Sequence, residues 1–511
     1  MDRLLDAATS RGLDRYTLGQ GKLGETTLMR NAGRAVAIEA AKLLRGDTEA
    51  RSVIICGKGH NGGDGLAAAG YLTEWGYDCR VVFTASADDL DPVVGDFYRP
   101  DMLNFDPATD AAELHWDGAA LVVDALLGIG VEGALREPVA GWVDAINDQP
   151  AAVLSIDLPS GLSADNGRVW DRAVRADLTV TMGYAKLGLW VNTGPDLAGH
   201  IVVADIGFDS AYFDAVEEGH FRFTAADFAE LYAPPARRTY KQQQGKTLVI
   251  AGSRGMTGAA AMTAGATLLA GAGLTVAACP LSLQPTYAAA QPEIITLGLE
   301  DHGQGLFLPE HVPLVQESLD WCSAVILGPG LSRSPQTLEF ARQLVDHLEV
   351  AAVLDADGLK PFNGQIDPLN AAAQPLVLTP HVAEFADLFD HDRQEVLADP
   401  VGALHEVRSY FHQTVVLKGA PTLVLLSNGD IVVNGSGNPG MATAGAGDVL
   451  SGVIGAFLSQ GYSANEAALL GVWLHGRAAD LAAARVGLPG ITATHIMDHL
   501  PYALAPFGVR P

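Results

Sequence analysis

The sequence is short of positive charge and of long apolar runs. Its 32 lysine and arginine residues are outnumbered by 60 aspartate and glutamate residues, which gives a formal net charge of −28. So acidic a chain disfavours binding to nucleic acid through the phosphate backbone. No apolar stretch approaches the length of a membrane span, and the first residues lack the basic-then-apolar order of a secretory signal. We therefore expect a soluble cytoplasmic protein that binds neither nucleic acid nor membrane.

Cysteine is also scarce. The four cysteines lie far apart and show no metal-binding spacing: Cys56, Cys79, Cys279 and Cys322. Disulfides are therefore not expected. We predict that most of these cysteines are buried apolar residues.

What the chain does have is length and a repeated alternation of short apolar runs with helical patterns. Its 511 residues exceed what one hydrophobic core supports, so two or more domains are expected. Alternating strands and helices predict an α/β fold with parallel sheets covered on both faces. The predicted strands lie at 52–56, 79–83, 120–127, 151–158, 177–183, 247–253, 274–280, 323–330, 351–358, 376–381 and 414–420.

The alternation breaks at residues 232–246, YAPPARRTYKQQQGK, which carry a Pro-Pro pair and a polar run. This segment is interpreted as a domain linker or as a loop that leads into the second domain. We predict two successive α/β domains, 1–225 and 226–511.

A glycine cluster separates the first long strand from the helical pattern of residues 64–77. The spacing of Gly57, Gly59 and Gly62 matches the dinucleotide fingerprint, and Asp78 follows about 20 residues later. A tight turn without a ligand is the alternative. The polar loop is expected to continue through Asp64, whose charge would repel a pyrophosphate. A nucleotide is therefore not expected here in the ordinary cofactor pose.

Two later strand ends should meet this loop at one edge of a parallel sheet. One brings Asp124 and a flexible loop, Gly128–Gly133, and the other brings Asp157 and Ser160. Ligands of open α/β sheets bind outside the carboxyl ends of the strands. Oxygen side chains at this edge suit an alkali or alkaline-earth ion better than zinc.

Together LMRNAG, GKGHNGGDG, VDALLGIG and IDLPSGL resemble the epimerase domain of the NAD(P)H-hydrate repair proteins, over nearly all of residues 1–215. The resemblance implies a Rossmann-like three-layer domain. It implies a potassium ion on Asn61, Asp124 and Ser160, with Asp157 and Lys186 as catalytic residues; a solvated Lys186 is the alternative. The implied contacts to the hydrated nucleotide are Asn61, Gly62, Gly63, Asp64, Gly65, Gly128, Ile129, Gly130, Val131, Glu132, Gly133, Ala134 and Asp157.

The stretch GNPGMATAGAGDVLSG, residues 437–452, marks a loop-to-helix transition in the second half. It lacks the Gly-Lys-Ser/Thr of a P-loop. Its small residues would let the backbone approach an oxyanion, and Asp448 is expected to begin the helix. Asp448 is interpreted either as a helix cap or as the acceptor of a proton from an attacking hydroxyl during phosphoryl transfer.

Other residues of this half are expected at strand ends. Lys418, at a strand end, and Thr422, in the turn after it, are placed to contact nucleotide phosphates, and Gly330 and His381 lie at the ends of two other predicted strands. His381 has two interpretations: it contacts the ligand, or it makes an ordinary hydrogen bond at the start of a helix.

The combination of AGSRGMTGAA, GPGL, TPH-x-x-E, KGAPT and GAGDVLSG resembles the ADP-dependent NAD(P)H-hydrate dehydratases, which are ribokinase-like, over about residues 240–505. Ser332 departs from the family pattern because glycine is usual there, and Val382 and Ala383 replace a usual Pro-Gly. The resemblance implies ADP as phosphate donor, magnesium, and a homo-oligomer of four or more subunits. It implies hydrate contacts from Gly330, His381 and Asp448, and nucleotide contacts from Lys418, Gly419, Ala420, Pro421, Thr422 and Gly447.

The sequence thus predicts a bifunctional metabolite-repair enzyme that acts on NADH and NADPH hydrates. One domain would interconvert their epimers, and the other would dehydrate the S epimer with ADP. One alternative is a ribokinase-like small-molecule kinase fused to a nucleotide-binding module. A binding or scaffold role for the first half is another alternative, which Asn61, Asp124, Asp157 and Ser160 argue against.

Overall fold

The chain folds into two compact units. The structure, a computed structural model, describes residues 1–84, 92–106, 110–116, 118–216 and 218–508. The first unit is Arg3–His220, and the second is Phe221–Pro511 together with Met1–Asp2. The predicted boundary between residues 225 and 226 lies at the start of a helix, Ala225–Leu231, shortly beyond this division.

The polar segment 232–246 lies inside the second unit, so the linker interpretation was wrong. Its first residue, Tyr232, is buried and stacks on Phe228 with ring centroids 5.4 Å apart. The next backbone N–H, of Ala233, donates a hydrogen bond to the Tyr462 hydroxyl at 2.8 Å. The segment leads into the first long strand of the second unit, as the alternative interpretation had it.

The first unit is built on a wholly parallel sheet with the order β4-β3-β2-β5-β6-β7-β8. Its helices are α1 (Ala7–Gly19), α2 (Glu25–Leu43), α3 (His60–Glu74), α4 (Pro92–Gly95), α5 (Val139–Asn147) and α6 (Gly194–Leu197). The strands, with β1 at the division between the units, are β1 (Asp2–Leu4), β2 (Ser52–Cys56), β3 (Cys79–Phe83), β4 (Asn104–Asp106), β5 (Leu121–Ala125), β6 (Ala152–Ile156), β7 (Leu178–Met182) and β8 (His200–Ala204).

Both faces of this sheet are covered, because successive strand residues point to opposite sides. In β2, Ile54 joins the apolar cluster that includes residues of α2 and α3. Its neighbours Val53 and Ile55 join a second cluster around Trp142 of α5. The result is a three-layer α/β unit whose strand ends form one open edge.

The second unit has a larger sheet, whose order from β18 to β12 is β18-β17-β16-β15-β14-β13-β10-β11-β12. Its strands are β9 (His220–Phe223), β10 (Lys246–Ile250), β11 (Leu274–Pro280), β12 (Ile295–Leu299), β13 (Ala324–Leu327), β14 (Ala351–Leu354), β15 (Leu376–Leu378), β16 (Thr414–Leu417), β17 (Leu423–Leu425) and β18 (Ile431–Asn434). The pairs from β16 to β12 are parallel, whereas β16, β17 and β18 pair antiparallel.

The helices of the second unit are α7 (Ala225–Leu231), α8 (Thr257–Leu269), α9 (Gln284–Ala290), α10 (Val312–Leu319), α11 (Pro335–Val345), α12 (Asp367–Asn370), α13 (Val382–Phe389), α14 (Arg393–Ala398), α15 (Pro400–Val407), α16 (Ala446–Ser459), α17 (Ala464–Val486) and α18 (Ala493–Leu504). Nearly every residue of α16 from Val449 onward is buried, and its side chains share one apolar cluster with those of α8, α17 and α18. This burial fixes the position of the α16 N-terminus.

The predicted α/β class is confirmed, and each predicted strand overlaps an observed one. The four cysteines are buried and free, as predicted. Among the helices of the described part of the chain, none is long and apolar enough to cross a membrane.

Candidate active sites

The first unit contains a cavity of about 1080 Å³ at the open edge of its sheet. Seven of the predicted site residues line it: Asn61, Asp64, Gly128, Ile129, Gly130, Asp157 and Lys186. The rest of the predicted glycine loop, residues 131–134, lies outside this lining, as do Gly62, Gly63 and Gly65. Residues from three different strand ends therefore meet at one concave surface, large enough for a nucleotide-sized ligand.

The helix after β2 begins at His60, so the NGGDG stretch is its first turn and not a loop. The prediction of a long polar loop here was wrong. A Cβ at Gly62 would lie 1.7 Å from the carbonyl oxygen of Gly57, so the first turn packs directly on the strand-end backbone. Asn61 and Asp64 are thereby held near the helix N-terminus, where backbone N–H groups suit an anion.

Asp157 and Lys186 form a buried ion pair in this cavity. Oδ1 of Asp157 lies 2.5 Å from Nζ of Lys186 and also accepts hydrogen bonds from the Met182 N–H at 3.1 Å and the Thr181 hydroxyl at 3.2 Å. Lys186 is only 4% exposed, so the solvated-lysine alternative was wrong. Asp157 has a left-handed backbone with φ of +66°, a strained conformation of the kind that clusters at active sites.

Of the predicted potassium ligands, Asn61 and Ser160 both bond to the backbone of Leu127, and Asp124 bonds to Ser160. The Asn61 amide donates to the Leu127 carbonyl at 2.9 Å, and the Leu127 N–H donates to the Ser160 hydroxyl at 2.9 Å. Asp124 accepts from the Ser160 hydroxyl at 2.6 Å and from the Ser155 hydroxyl at 2.8 Å. Burial raises the pKa of Asp124 and these hydrogen bonds oppose that rise. Hard oxygen atoms gathered in this way match the donor preference of an alkali ion.

Three further carboxyl groups line the cavity, those of Asp14, Glu25 and Asp64. Burial raises the pKa of Asp64 well above its usual range, and the charges of Asp157 and Asp14 add to that rise. Burial likewise raises the pKa of Asp14 on α1. Sequence reasoning missed Asp14, because it lies in an amphipathic helix with no motif around it.

In the second unit, Asp448 lies in the first turn of α16. The prediction that Asp448 begins this helix was wrong. The helix begins at Ala446, so Asp448 is its third residue. The residue before the helix, Gly445, has φ of +88°, and the helix has no side-chain cap hydrogen bond. Glycine is favoured at such a turn. Asp448 therefore makes no capping hydrogen bond, but its carboxylate lies in the first turn, where it suits the positive end of the helix dipole. Both interpretations of Asp448 stay predictions.

The carboxyl group of Asp448 is poised to take up a proton near neutral pH. Burial and the nearby charge of Asp355 raise its pKa to about 6, while Lys418 lowers it. A proton acceptor works best when its pKa lies near the working pH. Gly447 leaves the space beside these groups open, since a Cβ there would lie 3.5 Å from Nζ of Lys418.

Lys418 is held by a network of buried groups. Its Nζ lies 2.7 Å from Oδ1 of Asp355 and 3.8 Å from Oε2 of Glu384. The Ser451 hydroxyl donates to Oδ2 of Asp355 at 2.7 Å. Burial lowers the pKa of Lys418, but the two carboxylates more than offset this and leave it raised. Asp355 directly follows β14, which ends at Leu354. The predicted strand 351–358 extended through Asp355 and so hid its position at a strand end.

The remaining predicted nucleotide residues form an open turn after β16. Gly419 and Ala420 are exposed, and Pro421 and Thr422 are half-buried. The Thr422 hydroxyl donates to the Gly419 carbonyl at 3.3 Å. The turn thus starts from the buried Lys418 and extends towards solvent.

His381 caps the start of α13. Its Nδ1 accepts hydrogen bonds from the N–H groups of Ala383 and Glu384, both at 3.1 Å. Backbone pairing with Lys418 brings this helix start beside the buried lysine. The ordinary hydrogen bond is therefore present, and a hydrate contact through the exposed imidazole stays a prediction.

Gly330, the other predicted hydrate contact, follows β13 with φ of +62°, and a Cβ there would lie 2.9 Å from that of Ala259. Its carbonyl accepts a hydrogen bond from the Ser253 hydroxyl at 2.8 Å. Ser332, where the family resemblance leads us to expect glycine, has φ of +93°. Glycine adopts such a backbone without strain, so this φ fits that expectation.

Two families match the chain. Residues 247–502 match the family described as NAD(P)H-hydrate dehydratase. Residues 25–188 match the family described as YjeF-related protein N-terminus. The first match covers the Lys418 and Asp448 site, and the second covers the cavity residues from Asn61 to Lys186.

Relatives cover the chain almost completely. The bifunctional NAD(P)H-hydrate repair enzyme of Moorella thermoacetica is 35% identical over 98% of this chain and 96% of its own length. The enzyme of the same description from Thermofilum pendens is 35% identical over 96% of this chain and 94% of its own length. The solved ADP/ATP-dependent NAD(P)H-hydrate dehydratase of Bacillus subtilis is 25% identical, covering 56% of this chain and 99% of its own, with a TM-score of 0.49. The chain therefore belongs to the family of bifunctional NAD(P)H-hydrate repair enzymes.

Proposed function

We propose that the protein repairs hydrated NADH and NADPH in two steps. The first unit interconverts the R and S epimers at C6 of the hydrated nicotinamide. The second unit phosphorylates the C6 hydroxyl of the S epimer from ADP and then eliminates phosphate. Reduced nicotinamide, AMP and phosphate are the products, and phosphorylation is useful because phosphate leaves far more readily than hydroxide.

The observation that carries the proposal is the arrangement of Asp448 beside the buried Lys418–Asp355 ion pair. The start of α16 offers backbone N–H groups to the moving phosphoryl group. Asp448, with its pKa at about 6, accepts the proton of the C6 hydroxyl as that oxygen attacks. Lys418 supplies fixed positive charge for the nucleotide phosphates, and the turn through Thr422 holds the rest of the nucleotide.

In the first unit, Asp157 and Lys186 are the proposed catalytic pair. The cavity around them holds the hydrate through Asn61, Asp64 and the loop that starts at Gly128. The ordered ion pair can pass a proton to or from the C6 hydroxyl, while the left-handed backbone at Asp157 directs the carboxylate into the cavity.

Two metal ions belong to the proposal. Asn61, Asp124 and Ser160, with the Leu127 carbonyl among them, would hold potassium, which supplies positive charge near the nucleotide phosphate. In the described residues no group of three or more histidine, cysteine, aspartate and glutamate side chains could hold a metal ion. Magnesium would therefore be bound mainly by the ADP phosphates, as is usual for this ion.

The remaining features of the proposal come from the family resemblance. We assign the two activities to residues 1–225 and 226–511, a cytoplasmic location, and a homo-oligomer of at least four subunits. The strong net negative charge supports the absence of nucleic acid among the partners.

The alternative is a kinase that releases a stable phosphorylated product. Phosphorus NMR of the full chain with pure S hydrate, ADP and magnesium separates the two functions. Repair predicts AMP and inorganic phosphate in equal amounts, matched by the reduced nicotinamide formed. A phosphorylated nucleotide that accumulates without phosphate release would instead support the kinase and overturn the proposal.

A further inference from the structure

Helix α1 forms one wall of the epimerase cavity. Ser10, Arg11, Asp14, Arg15 and Leu18 line it. Their spacing of three or four residues places them on one face of the helix. Asp14 lies in the middle of that face, so its carboxyl group is presented to the cavity.

The carboxyl groups of Asp14 and Asp64 differ from that of Asp157. Oδ1 of Asp157 accepts three hydrogen bonds, whereas neither Asp14 nor Asp64 has a hydrogen-bond or ion-pair partner among the residues that the structure describes. Burial raises the pKa of Asp14, and the charges of Lys186 and His60 oppose the effect of Asp157 and Glu25. Asp14 is half-buried at the cavity wall, so its unpartnered carboxyl group is accessible to a ligand there.

Epimerisation at C6 needs proton transfer on both faces of the ring. On one face an acid protonates the C6 hydroxyl, the C–O bond breaks, and water leaves while the lone pair of N1 forms a C6=N1 iminium. On the other face water adds to C6, its oxygen forms the new C–O bond, and a carboxylate takes its proton. One proton is donated and one is recovered, and no oxidant or reductant is consumed.

We propose that Asp14 is the second catalytic residue of the epimerase, acting on the face of C6 opposite to Asp157. This inference rests on the proposed function of the first unit. Asp157 reaches the cavity from the end of β6, at the sheet edge, whereas Asp14 reaches it from α1. The two carboxyl groups thus come from separate walls, as inversion requires. Glu25, on α2, and Asp64, on α3, add two more carboxyl groups to the cavity.

The test starts from one pure epimer in water enriched in ¹⁸O, with the full chain and no ADP. Chromatography measures inversion, and mass spectrometry measures ¹⁸O in each epimer. Asp14→Asn keeps the shape of the side chain, and Asp14→Glu keeps the carboxyl group. Asp196→Asn, an exposed aspartate on α6, is the matched surface control.

Asp14→Asn is expected to slow inversion by roughly 10²- to 10⁴-fold, the usual range for loss of a proton-transfer group. In this variant one epimer should still exchange its C6 oxygen for ¹⁸O from water while it keeps its configuration, because Asp157 is intact. Asp14→Glu should invert the epimers at a rate between those of Asp14→Asn and the unaltered protein. Asp196→Asn should invert them at the unaltered rate. Unchanged inversion in Asp14→Asn, or inversion and exchange lost equally in both Asp14 variants, would overturn the inference. Absence of inversion by the unaltered protein would instead overturn the proposed function itself.

Discussion

Nζ of Lys418 lies 2.7 Å from Oδ1 of Asp355, and both groups lie beside Asp448. Asp355 is 1% exposed, and its Oδ2 accepts a hydrogen bond from the hydroxyl of Ser451 on α16. The pair therefore ties the end of β16 to the first turns of α16. This contact places a fixed cation and a fixed anion near the proposed proton acceptor.

The pH dependence of dehydration should report the ionisation of Asp448. Its pKa is raised to about 6, and only the ionised carboxylate accepts a proton. We therefore expect kcat for dehydration to fall about tenfold per pH unit below pH 6, and to be level above it. Steady-state rates with saturating ADP and S hydrate measure this profile. A rate that does not change between pH 5 and pH 8 would contradict the assignment.

Asp355→Asn should move that ionisation to lower pH. The charge of Asp355 raises the pKa of Asp448, so its removal lowers that pKa and shifts the acidic limb of the kcat profile downwards. The KM for ADP should also rise, because Lys418 loses its buried partner. Asp387→Asn, which removes a half-exposed partner of Lys360, is the control and should leave both quantities unchanged. An unshifted limb in Asp355→Asn would show that Asp355 has only a structural role.

Asp448→Asn should abolish most dehydration and spare epimerisation. The amide cannot accept the proton of the C6 hydroxyl, so kcat for dehydration should fall by roughly 10²- to 10⁴-fold. Both activities are measured on one preparation, by absorbance of reduced nicotinamide and by chromatography of the epimers. Normal dehydration by this variant would exclude Asp448 as the proton acceptor.

Asp157→Asn should have the reverse effect. Loss of its charge leaves the buried Lys186 without its anionic partner, and the cavity loses its proposed proton acceptor. Epimerisation should fall by a similar factor, whereas dehydration of the pure S epimer should continue at the unaltered rate. A variant that epimerises normally would remove Asp157 from the mechanism.

Short apolar runs between turn signals were enough to locate the parallel strands of both units. Residues 52–56 and 79–83 are strands with the predicted bounds, because burial on both faces leaves a continuous apolar run. Helix starts were less predictable. Glycines in NGGDG and GAGD suggested loops, yet Gly62 and Gly447 lie in first helical turns. At Gly62 close packing on the backbone of Gly57 favours glycine.

The site residues that sequence reasoning missed are those whose partners are distant in the chain. Asp355, which follows β14, pairs with Lys418, which follows β16. The carboxyl group of Asp14 faces a cavity built from other strand ends. Neither residue lies in a glycine-rich motif. Their roles depend on which elements pack together, and local spacing carries no information about that.

The central claim is that one chain converts both epimers of the hydrates to the reduced nucleotides. Purified protein is incubated with a mixture of R and S hydrates, with and without ADP and magnesium, and absorbance of reduced nicotinamide is followed to completion. The account predicts full recovery with ADP and none without a phosphate donor. No recovery with either ADP or ATP would contradict it.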